Sequence, residues 1–491
     1  MPAKHTANYL YGRGKQGGAA LLVILLLLIV GIAAILINSL STSSIKNSRQ
    51  TNTDAALAQA KDALIGYAAT YGDTHNSPPQ VHGYLPCPDS DASNGEGSSN
   101  LTCGSQDVSV IGRLPWKTLG LPVLRDSDGE CLWYAVSGTY KNNPNTGLMN
   151  WNTDGQLQAY AADGTLLTPA GNQVVAVIFA PGAAQSGQDR SDPSTPPVAP
   201  VCGGNYTASN YLDGGTVNSI TFNNASLSAG KIIQGSRGGG INDQMVFITK
   251  QDIWNAIQKR TDFQSTDPAI NPLRKLTQQV ATCLRHYAYQ NSVCSTRCPN
   301  DTLPWAGTLS LSDYTANTQY NDTSGIYAGR APYLVGTSNG PPGNSLATLM
   351  NPASCGAAWT ATVDAWWNNW KDQLFYALAG DYQPASNGSH HCAYAACLAV
   401  KVPGYTYTAA AVVMFANSGL AGQTRASDTT GASSMPRGTV SNYLEDISSG
   451  VGNASSFPGA NGNEYYYGYP ASSTFNDVLC YLDPSLVVHC L

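Results

Sequence analysis

Seven short stretches of this 491-residue chain recur in the same order further along it, and collinear self-similarity constrains a fold more than any overall property of the sequence. "ALIGYAA" at 63–69 faces "CLRHYAY" at 283–289, Leu85-Pro86 faces Leu303-Pro304, and "GRLPW" at 112–116 faces "GRAPY" at 329–333. The series continues with "LWYAVSGTY" at 132–140 against "LFYALAGDY" at 374–382, and "GQDR" at 187–190 against "GQTR" at 422–425. It closes with "NYLD" at 210–213 against "NYLE" at 442–445, and "NDQMVF" at 242–247 against "NDVLCY" at 476–481. Spacings agree to a few residues, apart from an insertion near 334–370 in the second repeat. Each repeat opens on a helical pattern, 54–70 and about 272–290. Each then carries Val-rich runs bounded by turn residues, such as "QVVAVIFA" at 173–180 and "AAAVVMFA" at 409–416, which read as strands. A helix packed on an antiparallel sheet is therefore expected twice, giving an α+β fold.

Charged residues make up only 11% of the chain against a typical quarter, while Gly, Ser, Thr, Asn and 27 Tyr fill the polar surface, as in an exported protein. The net charge of −6 comes with no basic patch beyond the first residues, which excludes a nucleic-acid partner. Twelve cysteines, Cys87, Cys103, Cys131, Cys202, Cys283, Cys294, Cys298, Cys355, Cys392, Cys397, Cys480 and Cys490, form an even set that reads as a disulfide framework. Short loops lose little entropy on closing, which favours Cys87 with Cys103, Cys294 with Cys298, Cys392 with Cys397 and Cys480 with Cys490. The rival reading of "HHCAYAAC" and "CSTRC" as metal sites lacks zinc-finger spacing.

From Ala19 to Ile37 no charged residue or Pro interrupts an apolar run whose helical length would match a bilayer core. Its continuation "DAALAQAKDALIGYAA" places Leu57, Ala60, Leu64 and Tyr67 on one stripe, so a single helix is expected from about 19 to 70. The stretch "NSLSTSSIKNS" at 38–48 is where bending or fraying is expected, because its hydroxyls compete for backbone hydrogen bonds. A basic leader with Lys4, Arg13 and Lys15, ending in Gly17-Gly18 and followed at once by the apolar run, resembles the type IV filament proteins, the pilins and the pseudopilins of type II secretion.

That resemblance implies cleavage by a prepilin peptidase between Gly18 and Ala19, with methylation of Ala19. It also implies partners among other pilins or pseudopilins and an inner-membrane assembly platform. The implied location is the bacterial inner membrane before assembly, with the heads in the periplasm, and later a filament tip or the cell surface. The family's usual Glu at the fifth mature position is replaced here by Val23. In a filament core that glutamate pairs with the N-terminal amine of the subunit ahead, since an unpaired buried amine is costly. A subunit at the tip has no subunit ahead, and Val23 suits it.

The expected organisation is a leader at 1–18, a transmembrane and stalk helix at 19–53, a first pilin-like head at 54–260, a linker at 261–271 and a second head at 272–491. No nucleophile–base constellation recurs, so the chain reads as a non-enzyme. The matched Arg190 and Arg425 read as turn residues, and Asn242-Asp243 and Asn476-Asp477 as strand-entry hydrogen-bonding groups. No cofactor is required. The acidic loops at 89–97 and 126–130 offer Asp89, Asp91, Asp126 and Asp128 as candidate calcium ligands, without a full EF-hand spacing. Trp359, Trp366, Trp367 and Trp370, all in the insertion, are expected either in the core or as an exposed sugar-stacking surface for a ligand of the second head. The expected role is assembly or capping at a filament tip, with adhesion as an added role. The alternative is a membrane-displayed adhesin that uses the same anchor.

Overall fold

The computed structural model describes residues 17–491 apart from 92–93, 106, 144–146, 169–171, 192–200, 237–238, 291–301, 337–346, 385–391, 393–396, 426–436 and 458–463, with side chains described from Lys46 onward except at 289–290. Helix α1, Gly17–Thr74, is continuous over 58 residues. It does not break across 38–48. Just beyond that stretch, Thr51 and Thr53 return their hydroxyls to the carbonyls of Asn47 and Arg49, so they satisfy the helix rather than compete with it. From Leu57 on, the buried stripe is Leu57, Ala60, Leu64, Ala68 and Tyr71, with Tyr67 only half-buried.

In the first repeat, strands β1 (Val110–Arg113), β2 (Trp133–Val136), β3 (Gln158–Tyr160), β4 (Val174–Ala180), β5 (Gly214–Val217), β6 (Ile220–Asn223), β7 (Lys231–Ile233) and β8 (Gln244–Thr249) lead into helix α2 (Lys250–Gln258). An antiparallel sheet runs in the order β1-β2-β4-β8, and β4 is buried along its whole length, as its unbroken apolar sequence requires. Beside it lie the parallel pair β3-β7 and the hairpin β5-β6. Thr249 and Asp252 form a capping box that starts α2.

A short helix α3 (Thr261–Gln264) precedes α4 (Pro272–Gln290), which starts where Asn271 accepts the amides of Leu273 and Arg274 and Pro272 takes the first helical position. Then follow β9 (Ala328–Arg330), β10 (Leu334–Val335), β11 (Ala347–Thr348), α5 (Pro352–Cys355), α6 (Ala361–Trp370), β12 (Leu374–Leu378), β13 (Leu398–Val402), β14 (Tyr405–Ala409) and β15 (Ala411–Phe415). The chain ends through β16 (Asp446–Ser448), β17 (Val451–Gly452), α7 (Asn453–Ser456), β18 (Tyr465–Tyr467), β19 (Val478–Leu482) and β20 (Val488–Cys490). The second sheet, β9-β12-β15-β19-β20, repeats the first strand for strand and adds β20 at its edge, and α4 packs on β15 and β19. The parallel pair β13-β18 and the pair β16-β17 answer β3-β7 and β5-β6.

Two expectations about architecture are corrected. Among the described residues no helix is long and apolar enough to cross a membrane, and the side chains of the run 19–37 lie outside them. The fold class is therefore mixed α/β, with parallel as well as antiparallel pairing, rather than a transmembrane helix carrying two separate heads. The repeats also do not behave as tandem bodies: residues Leu57–Leu491, both repeats included, form one compact unit, and Met1–Ala56 form the other. The physical reason lies in the seam between the repeats. Trp151 and Trp254 of the first pack edge-on against Trp370 of the insertion, with centroids 4.5 and 5.5 Å away, and Phe415 sits 5.8 Å from Trp151. Polar clamps flank the rings. Asn150 donates to the Asn369 carbonyl and to Asp372, while the Asn369 side chain accepts from the Met149 amide.

Candidate functional site

The recurring sequence motifs converge on one side-chain network, built once in each repeat. In the first, the Arg190 guanidinium donates to the carbonyls of Gly182, Asn210 and Tyr211 and to the Gln188 side chain, and lies 5.0 Å from the Tyr211 ring centroid. In the second, Arg425 donates to Asn417, Asn442 and Tyr443 carbonyls and to Gln423, again 5.0 Å from a tyrosine ring, that of Tyr443. Gln188 then donates to Asp213, and Gln423 to Glu445. Asp213 accepts the Asn242 amide and Glu445 accepts the Asn476 amide. A second arginine on the first sheet strand closes each network. Arg113 reaches the Gly203 and Asn205 carbonyls, and Arg330 reaches the matching Arg437 carbonyl.

At the centre of each network two carboxyls meet. Asp243 accepts the backbone amide of Asp213 and the side-chain amide of Asn224, and Asp477 accepts those of Glu445 and Asn453. Burial and the neighbouring Asp213 charge push Asp243 up to about 7. Burial and Glu445 push Asp477 well above the ordinary carboxylate range. Among the described residues the network presents no nucleophile next to a base. Its arginines donate mainly to the chain's own carbonyls and its carboxyls accept the chain's own amides, with one oxygen each of Asp243 and Asp477 left without a hydrogen bond among the described residues, and this is the chemistry of a scaffold that fixes long loops onto a sheet. The sequence motifs GQDR and GQTR are therefore loop fasteners, and the Asn-Asp pairs do serve strand entry.

Of the residues singled out by sequence, Gly18, Ala19 and Val23 fall in α1, with their side chains outside the described residues. Five cysteine pairs are at bonding distance: Cys87–Cys103, Cys131–Cys202, Cys283–Cys355, Cys392–Cys397 and Cys480–Cys490. Three of these were favoured by proximity, and Cys294 and Cys298 lie outside the described residues. Cys131–Cys202 and Cys283–Cys355 close loops of 71 and 72 residues, which no proximity argument could select.

The four acidic loop residues are not gathered into one cluster. Asp126 gives one oxygen to the amides of Asp128 and Glu130 and the other to the Gly182 amide. Asp89 accepts the Gly97 amide and is pushed up to about 6 by burial. Among the described residues no group of three or more His, Cys, Asp or Glu side chains is placed to hold a metal. The four tryptophans of the insertion are 0–6% exposed, so they are core and offer no stacking surface.

Residues that sequence reasoning passed over include Asp372, Arg437 and Lys371. Asp372 and Arg437 form an ion pair whose side chains are 1% and 5% exposed. Lys371 lies next to Asp372 and donates to the Thr315 carbonyl and to Asn317; burial lowers it to about 8. They fall outside the seven matched stretches, so the duplication did not flag them. No protein-family model, no curated protein and no solved structure matches the chain.

Proposed function

We propose that this chain is a minor pilin or pseudopilin-like subunit that primes or caps a type IV or type II secretion filament at its tip, as a structural rather than a catalytic component. What supports the reading most is that one uninterrupted helix, described from Gly17 onward, takes in the apolar run that follows the leader's glycine pair and carries on as the helix opening the first repeat. The scaffold character of the duplicated network is consistent with an assembly role, because both arginine–carboxyl clusters serve to hold loops in place.

Two measurements test the proposal. Mass spectrometry of the mature protein should find methylated Ala19 at its N-terminus, and Gly18→Ala should leave a full-length precursor; a mature protein that retains Met1 overturns the reading. The tip position is tested by counting copies per sheared filament for wild type and Val23→Glu. At the tip, the added carboxylate meets no amine ahead of it and costs several kcal/mol, so incorporation stays level or falls. A rise in copies along the shaft overturns the tip position while leaving the family reading intact.

A further inference from the structure

Lys371 directly follows the last residue of α6 and is 2% exposed, a rare place for a side chain whose charge depends on hydration. Its amine lies 5.8 Å from the Tyr320 ring centroid, donates to the Thr315 carbonyl and reaches the side-chain oxygen of Asn317 at 2.6 Å. Asp372, Asp313 and Asp364 face it and favour its charged form, yet burial outweighs all three and brings it down to about 8. Roughly a tenth of the amines are therefore neutral near pH 7, each with a free lone pair.

The Asn317 amide is held so that its carbonyl faces that lone pair. An indole N–H can only donate, and the one on Trp367 donates to the Asn317 oxygen at 3.2 Å, which fixes the oxygen on the Lys371 side. The Asn317 amide nitrogen donates the other way, to the Asn368 side chain at 3.0 Å. Asn368 is itself held at 3.0 Å by Asp364, whose second oxygen takes the Trp359 indole N–H at 3.2 Å. Two donors on one carbonyl oxygen draw electrons from its carbon, and the carbon lies one bond beyond the atom the amine already touches. A crevice of about 460 Å³, lined by Thr315, Asn317, Asp364, Asn368 and Lys371 among others, borders the pair and has room for a small leaving molecule.

We propose that Lys371 and Asn317 join in an intramolecular isopeptide bond once the chain has folded. The lone pair of the neutral Lys371 Nζ forms a bond to the Asn317 Cγ, and the carbonyl π pair moves onto Oδ1 beside the Trp367 N–H. That pair returns as the bond from Cγ to the original amide nitrogen breaks. One of the two amine protons passes to the departing nitrogen, which leaves as ammonia, so no oxidant, water or cofactor is consumed. The product is a neutral amide where a buried ammonium stood, which removes the cost of that charge. The link ties the end of α6 to the loop before β9, closing 54 residues of the second repeat, and the matching position in the first repeat is Gly129. The bond goes beyond the filament reading and stands whether or not the chain enters a filament.

The test is peptide mapping by mass spectrometry on the full chain, reduced, denatured and digested with trypsin. The segments carrying Asn317 and Lys371 should appear as one branched peptide, lighter than their sum by one ammonia, with no cleavage after Lys371. Lys371→Arg and Asn317→Ala should each return two separate peptides. In pulse-labelled chains, Trp367→Phe, which keeps an aromatic ring but loses the N–H, should slow the linking about tenfold or more. The wild-type digest decides the matter even if a variant melts early. Separate peptides in the wild type, or ammonia lost from Asn317 with Lys371 still free, overturn the proposal, and an undiminished rate in Trp367→Phe overturns the carbonyl activation assigned to that N–H.

Discussion

The two repeats fasten the same loop to the same strand by different chemistry. In the first, Cys131, at the entry to β2, is bonded to Cys202 in the loop that Arg113 grips. In the second, the position matching Cys131 is Gln373, and its neighbour Asp372 is paired with Arg437 of the corresponding loop. A disulfide acts by limiting the unfolded chain and is indifferent to charge. A buried ion pair stabilises only while both partners stay charged and in place, and removing one strands the other. Equivalent geometry thus leaves this one fastening sensitive to reductant in the first repeat and to any change in a single carboxylate in the second.

The sharpest way to break the comparison is Cys131→Ala/Cys202→Ala. Opening a loop of 71 residues should lower stability by about 4 kcal/mol, read as a shift in denaturant midpoint. A loss under about 1 kcal/mol would show that Arg113 alone holds the loop. Next, Asp372→Ala should cost about 3 kcal/mol because it removes the carboxylate facing the buried Arg437 charge and the acceptor of the Asn150 amide. Its positional match, Glu130, meets Arg190 at 3.2 Å on a part-exposed surface, and Glu130→Ala should cost under about 1 kcal/mol. Equal costs would erase the distinction between the repeats.

The carboxyl pairs should behave alike in both repeats, which sharpens the comparison from the other side. Asp243 is faced by Asp213, Asn224 and Arg190, and Asp477 by Glu445, Asn453 and Arg425. An acid whose folded pKa is raised binds its proton more tightly in the folded state. Its contribution is therefore complete below the unfolded value near 3.8 and is lost as pH rises through the folded value, about 7 for Asp243. Across that window stability should fall with a slope approaching about 1.4 kcal/mol per pH unit for each carboxyl. Asp243→Asn and Asp477→Asn should each flatten it in urea titrations at stepped pH, and an unchanged slope in either would show that this carboxyl does not titrate above the ordinary range in that repeat. The smallest effect is expected at Lys61, which bridges α1 to the Phe247 carbonyl and Asp252 where the second repeat has only Ala281. Lys61→Ala should cost about 0.5 kcal/mol in the same assay, and a loss above about 2 kcal/mol would mean that the first repeat depends on a contact the second lacks.

The duplication was readable because its motifs are the residues that bind backbone groups: Arg190 and Arg425, Asn242-Asp243 and Asn476-Asp477 hold the same carbonyls and amides in both repeats, so their spacing could not drift. The short disulfides were readable from loop entropy alone. What could not be read was anything that crosses between the repeats. Trp151, Asn150 and Asn369 occupy positions with no repeated partner, and an aromatic residue in one stretch does not announce which distant surface it will cover. Two separate heads were expected for that reason, and the single seam of Trp151, Trp254 and Trp370 removed them. A crevice beside α2 was equally hidden, since its walls come from α2 and from a turn far along the chain.

That seam also has a consequence in time. Asn150 finds its partner Asn369 219 residues later. At a synthesis rate of roughly 5–20 residues per second, the first repeat emerges with its indole face and amide clamps unmet for roughly 10 to 40 s. For that interval the nascent chain presents an aromatic surface to whatever shares its compartment. Holdase chaperones, or a pause before the insertion is made, would therefore decide how much of the protein reaches its final packing.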